Sequence, residues 1–264
     1  MEEIKTIIIS YLRKLLKKHS ADFIGNNLNK FISSQAIDKL IKQLSKEIID
    51  PRKIRARMDS VRGALFEIIL EYLLNEYFKN HKDYNHIKAV RKSFRKRFNN
   101  ENLNTLLEKL RITRIGKEQL KKEPDIDVIV FSERIKDRLF LISIKGTARE
   151  RIGQFLSNLF IFDKRVIKLK YGDKYLFNPP KFKVAFVCLD LAKNKDFSHE
   201  NEEKIEKKKN TSVKQLEVYL INDDNYIGGG VYVLNNLPKL EKVGNFSELI
   251  GNIVKFFDEN NSSS

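Results

Sequence analysis

Disulfide chemistry is the first thing this sequence excludes. It holds a single cysteine, Cys188, and one thiol forms no internal bridge, which suits a reducing cytoplasm. Cys188 lies in the apolar run Val184-Ala185-Phe186-Val187-Cys188-Leu189 and reads as a small buried hydrophobe, not a nucleophile. Histidine is scarce too. His19, His81, His86 and His199 sit in polar stretches without ligand spacing, so neither a zinc site nor histidine-based catalysis is expected. There is no Walker loop, hence no expected nucleotide cofactor, and no internal repeat. No apolar run approaches the roughly 18 residues of a membrane span. Met1-Glu2-Glu3-Ile4-Lys5 lacks the basic-then-apolar order of a signal peptide. A soluble cytoplasmic protein with no membrane partner is the expectation.

What the chain has in excess is positive charge: 51 Lys and Arg against 35 Asp and Glu, a formal net charge of +16. Such a field draws in polyanions, and nucleic acid rewards it through counterion release. A lysine-rich surface inherited from genome composition or high growth temperature is the alternative. At 264 residues the chain can bury a proper core, and one domain is favoured over two.

Three regions follow one another within that domain. Residues 1–115 form a helical N-terminal part, 120–191 a sheet core, and 192–264 C-terminal strands and a helix. Ile7, Tyr11, Leu12, Leu15 and Leu16 recur at helical steps, as do Ile37, Leu40, Ile41, Leu44 and Ile48, with Asp50-Pro51 ending the second helix. Asp59 or Ser60 is placed to cap the next helix, which runs to about Tyr77 or Phe78 and is apolar on nearly every side, so it should be central and buried. Val128 to Phe131 and Leu139 to Ile144 read as a hairpin, Arg149 to Phe162 as a helix, and Phe182 to Leu189 as a third buried strand. Lys193 to Lys214 is charge-dense and reads as a solvated loop or exposed helix. Leu216 to Ile221 and Val231 to Leu234 suggest further strands, with Gly228-Gly229-Gly230 permitting a tight turn or a bulge. Phe246 to Phe257 is a last amphipathic helix, and Asn260 to Ser264 a tail that should fray. The expected fold class is α/β: a central mixed sheet flanked by helices, with a helical N-terminal region.

Within the hairpin, Pro124-Asp125-Ile126-Asp127 opens one strand and Ser143-Ile144-Lys145 closes its neighbour. Hydrolysis of a phosphodiester needs an activated water and stabilisation of developing negative charge. Mg2+ held by one or two carboxylates plus phosphate oxygens supplies both. Asp125 and Asp127 share a face by strand alternation, and Lys145 can stabilise phosphate charge or orient the water. Just beyond comes Arg149-Glu150-Arg151. Arginine bonds guanine O6 and N7 bidentately and glutamate accepts from cytosine N4; the alternative is an exposed first turn of a helix. Glu67 lies between Leu65-Phe66 and Ile68-Ile69 on the mostly apolar helix, where a carboxylate is costly unless paired with a cation or metal. An ion pair with Arg62 or Lys145 is the alternative to an acid role, and Glu71, one turn on, is a weaker candidate. Arg91-Lys92-Ser93-Phe94-Arg95-Lys96-Arg97-Phe98 either grips phosphates or forms a solvated helix face.

On these residues the chain resembles the type II restriction endonucleases of the PD-(D/E)xK superfamily, and more narrowly the branch that cuts CCGG and CCNGG sites. The core of the likeness runs from about Pro124 to Gln154, with a looser echo at Gly63 to Glu67. It implies a restriction-endonuclease-like fold and a Mg2+-dependent, sequence-specific cutter of double-stranded DNA at a palindromic C:G-containing site. Asp125, Lys145, Glu67 and Ser143 would line the catalytic site, Asp125, Asp127 and Glu67 would hold the metal, and Arg149, Glu150 and Arg151 would read bases. A two-fold palindrome is matched by a homodimer. One departure stands out: position 143, usually Asp or Glu in the superfamily, is serine. The CCGG branch compensates with a glutamate on the following helix, but the corresponding window here, Ser157-Asn158-Leu159, holds none before Asp163. That shifts weight onto Glu67 and Asp127. The rival expectations are a repair or junction nuclease of the same fold, and a DNA-binding protein without catalysis.

Overall fold

A computed structural model describes residues 2–31, 51–92, 100–110, 113–114, 126–147, 175–176, 180–190, 228–234 and 243–258. The first helix, α1 (Glu2–Leu16), buries Ile8 and Leu12, one turn apart. The next, α2 (Ala21–Asn26), is capped by Ser20, whose Oγ accepts from Phe23 N at 3.1 Å. A short α3 (Leu28–Phe31) follows. Then comes the long helix α4 (Pro51–Lys79). It runs straight through Asp59 and Ser60, so neither caps a helix as expected. Its first residue is instead Pro51, whose missing N–H costs nothing in a first turn. Leu65, Ile68, Ile69, Leu70, Leu73, Leu74 and Phe78 of α4 are all buried, the near-continuous burial expected of a central helix.

Between α4 and the hairpin the helical expectation fails: Ile87–Arg91 is a strand, β1. Five residues carrying two cations give too short a pattern to declare a period, and pairing with the sheet decides the conformation. Helix α5 (Glu101–Lys109) is capped by Asn100, and β2 (Thr113–Arg114) follows. The hairpin is β3 (Val128–Ser132) and β4 (Arg138–Thr147). After them come β5 (Tyr175–Leu176), which pairs with β2, then β6 (Lys181–Asp190), β7 (Gly228–Val233) and α6 (Phe246–Asp258). The glycine run lies inside β7, where the register against β6 shifts and Gly230 takes φ 95°, so it makes a bulge and not a turn.

The main sheet has the order β1-β3-β4-β6-β7, antiparallel from β1 to β4 and parallel from β4 to β7. Val128, Val130, Phe140, Ile142, Ala185 and Val187 pack into one cluster with α1, α2, α4 and α6. Ile129, Phe131, Leu139, Leu141, Val184, Phe186 and Cys188, on the alternate positions, are buried as well. Burial on both faces is why these strands read as unbroken apolar runs.

Helix α4 also covers the outer edge of β1. The Asn75 amide donates to Ala89 O at 2.8 Å and its Oδ1 accepts from Ala89 N at 2.9 Å. One turn earlier, Glu71 Oε1 accepts from Arg91 N at 3.2 Å. These bonds satisfy the groups an edge strand would otherwise offer to another chain. At the other side of the cluster, Asn26 Oδ1 accepts from Phe246 N at 2.9 Å and ties α2 to the start of α6. Gly25 lies against the Phe246 ring so closely that an added Cβ would sit 2.3 Å from it. No helix among the described residues is long and apolar enough to cross a membrane. The expected helix at 37–48, helix at 149–162, charged segment at 193–214, strand at 216–221 and tail at 260–264 lie outside the described residues.

Candidate active site

Four elements meet at one end of the sheet: the middle of α4, the last residue of β1, the start of β3 and the last third of β4. Asp127 sits just ahead of β3. Its N donates to Ile142 O at 2.9 Å and its carbonyl accepts from Lys92 N at 3.0 Å, so its backbone is held between both neighbouring strands. The ladder that pairs Val128 with Ile142 puts Asp127 opposite Ser143. The Asp127 carboxylate is held through one oxygen: Oδ2 accepts from Ile144 N at 2.6 Å and from Lys145 Nζ at 3.3 Å, with Ser143 Oγ at 3.5 Å. Among the described residues no donor reaches Oδ1.

Ser143, only 1% exposed, thus faces Asp127 directly. A second carboxylate at that position would lie against the first. A carboxyl near Asp127 comes instead from the helix, in Glu67. Glu67 is half-buried and has no hydrogen-bond or ion-pair partner among the described residues. Burial, reinforced by the Asp127 charge, pushes its pKa from the usual 4.5 up to about 7, against the opposing pull of Arg91 and Lys145. A half-buried carboxyl of shifted pKa next to a second carboxylate and a lysine is the kind of group found at sites of chemistry. The pairing considered for Glu67 is settled only in part: Lys145 bonds Asp127, and the Arg62 side chain lies outside the described residues.

Glu71 and Arg91 behave differently from expectation. Arg91, 1% exposed, donates from Nε to Glu71 Oε2 at 2.8 Å while its backbone N uses Oε1. Both Glu71 oxygens are therefore committed to β1, which removes Glu71 as an acid. Arg91 is an interior cation beside Glu67 and no part of a phosphate-gripping surface. The sequence reading missed it because its place follows only once Ile87, Ala89 and Arg91 are seen to share the α4-facing side of a strand.

Asp125, Arg149, Glu150 and Arg151 lie outside the described residues. Of the expected site residues, the structure brings together Glu67, Asp127, Ser143 and Lys145. The donor set suits a hard cation: two carboxylates, one half-buried and one bound through a single oxygen among the described residues, are what Mg2+ takes while keeping several waters. Among the described residues no group of three or more His, Cys, Asp or Glu side chains is placed to hold a metal ion. No protein-family model and no curated protein matches the chain.

Proposed function

We propose that this chain is a Mg2+-dependent, sequence-specific double-strand DNA endonuclease of the restriction-endonuclease-like fold, acting as a homodimer. One observation carries the reading: Glu67 from α4 and Asp127 from just ahead of β3 converge beside Lys145 where Ser143 takes the place of the usual acid. The order of the central strands, an antiparallel trio followed by a parallel neighbour, supports it, as does the net charge of +16.

Glu67 and Asp127 would hold the cation, which when bound supplies charge neutralisation at the phosphate and an acidified water. The chain's own residues do the rest. Asp127, held at Oδ2 by Ile144 N, has an Oδ1 that no donor reaches among the described residues. Lys145, held by Asp127 at the end of β4, places a positive charge where phosphate oxygens would lie. Water attack breaks one P–O bond, leaving a phosphate on one fragment and a hydroxyl on the other.

The test is incubation of the full chain with plasmid and genomic DNA in Mg2+, followed by sequencing of the fragment ends. Discrete ends at paired C:G steps support the reading. In Ca2+, Glu150→Ala and Arg151→Ala should each lose about 1–3 kcal/mol of discrimination between that site and a scrambled duplex. Random ends point to a repair or junction nuclease. Specific binding without cutting under any divalent cation points to the non-catalytic protein that Ser143 allows for.

A further inference from the structure

Among the described residues the large hydrophobic side chains that stand exposed are Tyr11 at 42% and Phe23 at 46%, and both belong to one aromatic cluster on α1, α2 and α3. His19 stacks on Phe23 with ring centroids 5.1 Å apart and lies 5.2 Å from Phe31, while Phe23 and Phe31 meet edge to face at 6.1 Å. Tyr11 is bound to the same group through its hydroxyl, which donates to Phe31 O at 2.8 Å. Between Tyr11 and His19 in the chain come Arg13, Lys14, Lys17 and Lys18, all exposed. Lys14 falls three residues after Tyr11, on its face of α1, and Lys18 lies in the turn that leads from α1 to His19. The acid nearest in the sequence, Asp22, is turned toward α6, where its Oδ1 accepts from Ser247 Oγ at 2.5 Å.

Pre-stacked rings with exposed area, beside a stretch of chain rich in exposed cations, match the two surfaces of an unpaired nucleotide strand. Its bases offer π-faces and its phosphates offer charge. An acidic protein would use the lysines but gain little from the rings. A duplex keeps its base faces covered. We propose that the Tyr11, His19, Phe23 and Phe31 cluster with its basic fringe binds single-stranded nucleic acid, one base stacking on Phe23 and the flanking phosphates lying along Lys14 and Lys18. The proposal goes beyond the endonuclease reading and shares no residue with the carboxylate site, so each stands or falls alone.

Binding is measured by fluorescence anisotropy with the full chain in EDTA, where metal-dependent cutting is absent. The probes are a short oligothymidylate and an abasic sugar-phosphate strand of equal length. The wild type should bind the oligothymidylate more tightly. Phe23→Ala should weaken that binding about tenfold or more without changing abasic binding, and Phe23→Tyr should restore it. Lys14→Ala with Lys18→Ala should weaken both probes and reduce the salt dependence, roughly in proportion to the phosphates released. Circular dichroism melts confirm that the variants fold; if Phe23→Ala melts, Phe23→Leu, which keeps apolar bulk without an aromatic face, serves as the read-out and should weaken oligothymidylate binding alone. Equal affinity of the wild type for the two probes overturns the proposal. So does displacement of the oligonucleotide by polyglutamate at matched charge, which would mark an acidic protein partner. A Phe23-dependent dimer in sedimentation that excludes the oligonucleotide overturns it in favour of a second copy of the chain.

Discussion

The two ends of the β3–β4 hairpin are built on opposite electrostatic terms. At the loop end, Ser132 Oγ accepts from Arg134 N at 3.0 Å and Ile135 N at 2.8 Å, and meets His86 Nδ1 at 2.9 Å. Two N–H groups already occupy the hydroxyl's lone pairs, so its proton points to Nδ1 and His86 carries its own on Nε2. Burial, helped by Arg134, holds the His86 pKa below its ordinary value, in keeping with a neutral ring. Arg138, almost fully buried, spends Nη1 on Phe256 O at 2.8 Å and Nε on Asp137 at 3.2 Å. Polar groups there are matched with neutral or opposite partners. At the strand-entry end, Glu67 is desolvated and faces a like charge in Asp127. One end of the hairpin closes the fold, whereas the other keeps an acid in an environment that resists its ionisation, a feature that sites of chemistry share.

The largest effect should come from removing the charged end. Asp127→Ala and Lys145→Ala are expected to lower the cutting rate by at least about 10²–10³-fold, the scale of losing one preorganised electrostatic group, while leaving specific DNA binding in Ca2+ largely intact. Asp125→Ala is the companion measurement. Full activity there with loss in Asp127→Ala assigns the strand-entry acid to Asp127, and the reverse result removes Asp127 from that role. Next in size is Arg91→Ala, which removes a buried cation and leaves the part-buried Glu71 without it, and should cost about 3 kcal/mol of stability by denaturant unfolding. A loss under about 1 kcal/mol would mean that the Glu71 pair contributes no more than an exposed ion pair.

How much of this contrast was legible in the sequence depended on pattern length. Helix α4, the β3–β4 hairpin, β6 and α6 announce themselves because each carries an apolar run or stripe long enough to fix a period. Strand β1 does not: Ile87-Lys88-Ala89-Val90-Arg91 becomes a strand through its ladder to β3 and the side-chain bonds from Asn75 and Glu71, all formed by distant residues. The same non-local bonds separate Glu67 from Glu71. On the helix both are acids on one face, and only the position of Arg91 shows that Glu71 is occupied and Glu67 is not. Asp127 and Lys145 were readable from alternation around a hairpin. That Ser143 stands opposite Asp127 required the register. His86 was read as a residue of a polar stretch, yet it is buried, because its partner Ser132 lies 46 residues away.

At the sealed end, Ser132→Ala should cost about 1–3 kcal/mol, since two backbone N–H groups and the His86 ring lose one shared partner. Its effect on cutting should be small, because the substitution lies at the opposite end of the strand from Asp127. A cutting defect as large as that of Lys145→Ala, in protein that remains folded, would break the division of the hairpin into a sealing end and a reacting end.

The smallest effect tests the reacting end without any substrate. Glu67 has a folded pKa of about 7 against the usual 4.5, so the fold favours its neutral form. The stability it contributes is fully present below about pH 4.5 and is lost as pH rises through about 7. Glu67→Gln keeps the neutral shape at every pH. It should therefore match the wild type in acid and become the more stable of the two by roughly 1–2 kcal/mol above neutrality, a figure reduced from the full shift because solvent screens a half-buried carboxyl. Urea unfolding at intervals between about pH 5 and 8 reads the difference, and a flat difference would show that Glu67 does not titrate in this window. Mg2+ sharpens the test. A cation that binds the folded chain through Glu67 should stabilise the wild type in proportion to its occupancy, and should stabilise Glu67→Gln much less. An acid that weakens the protein alone but strengthens it with the metal is a binding group; one that weakens it under both conditions is only a misplaced charge.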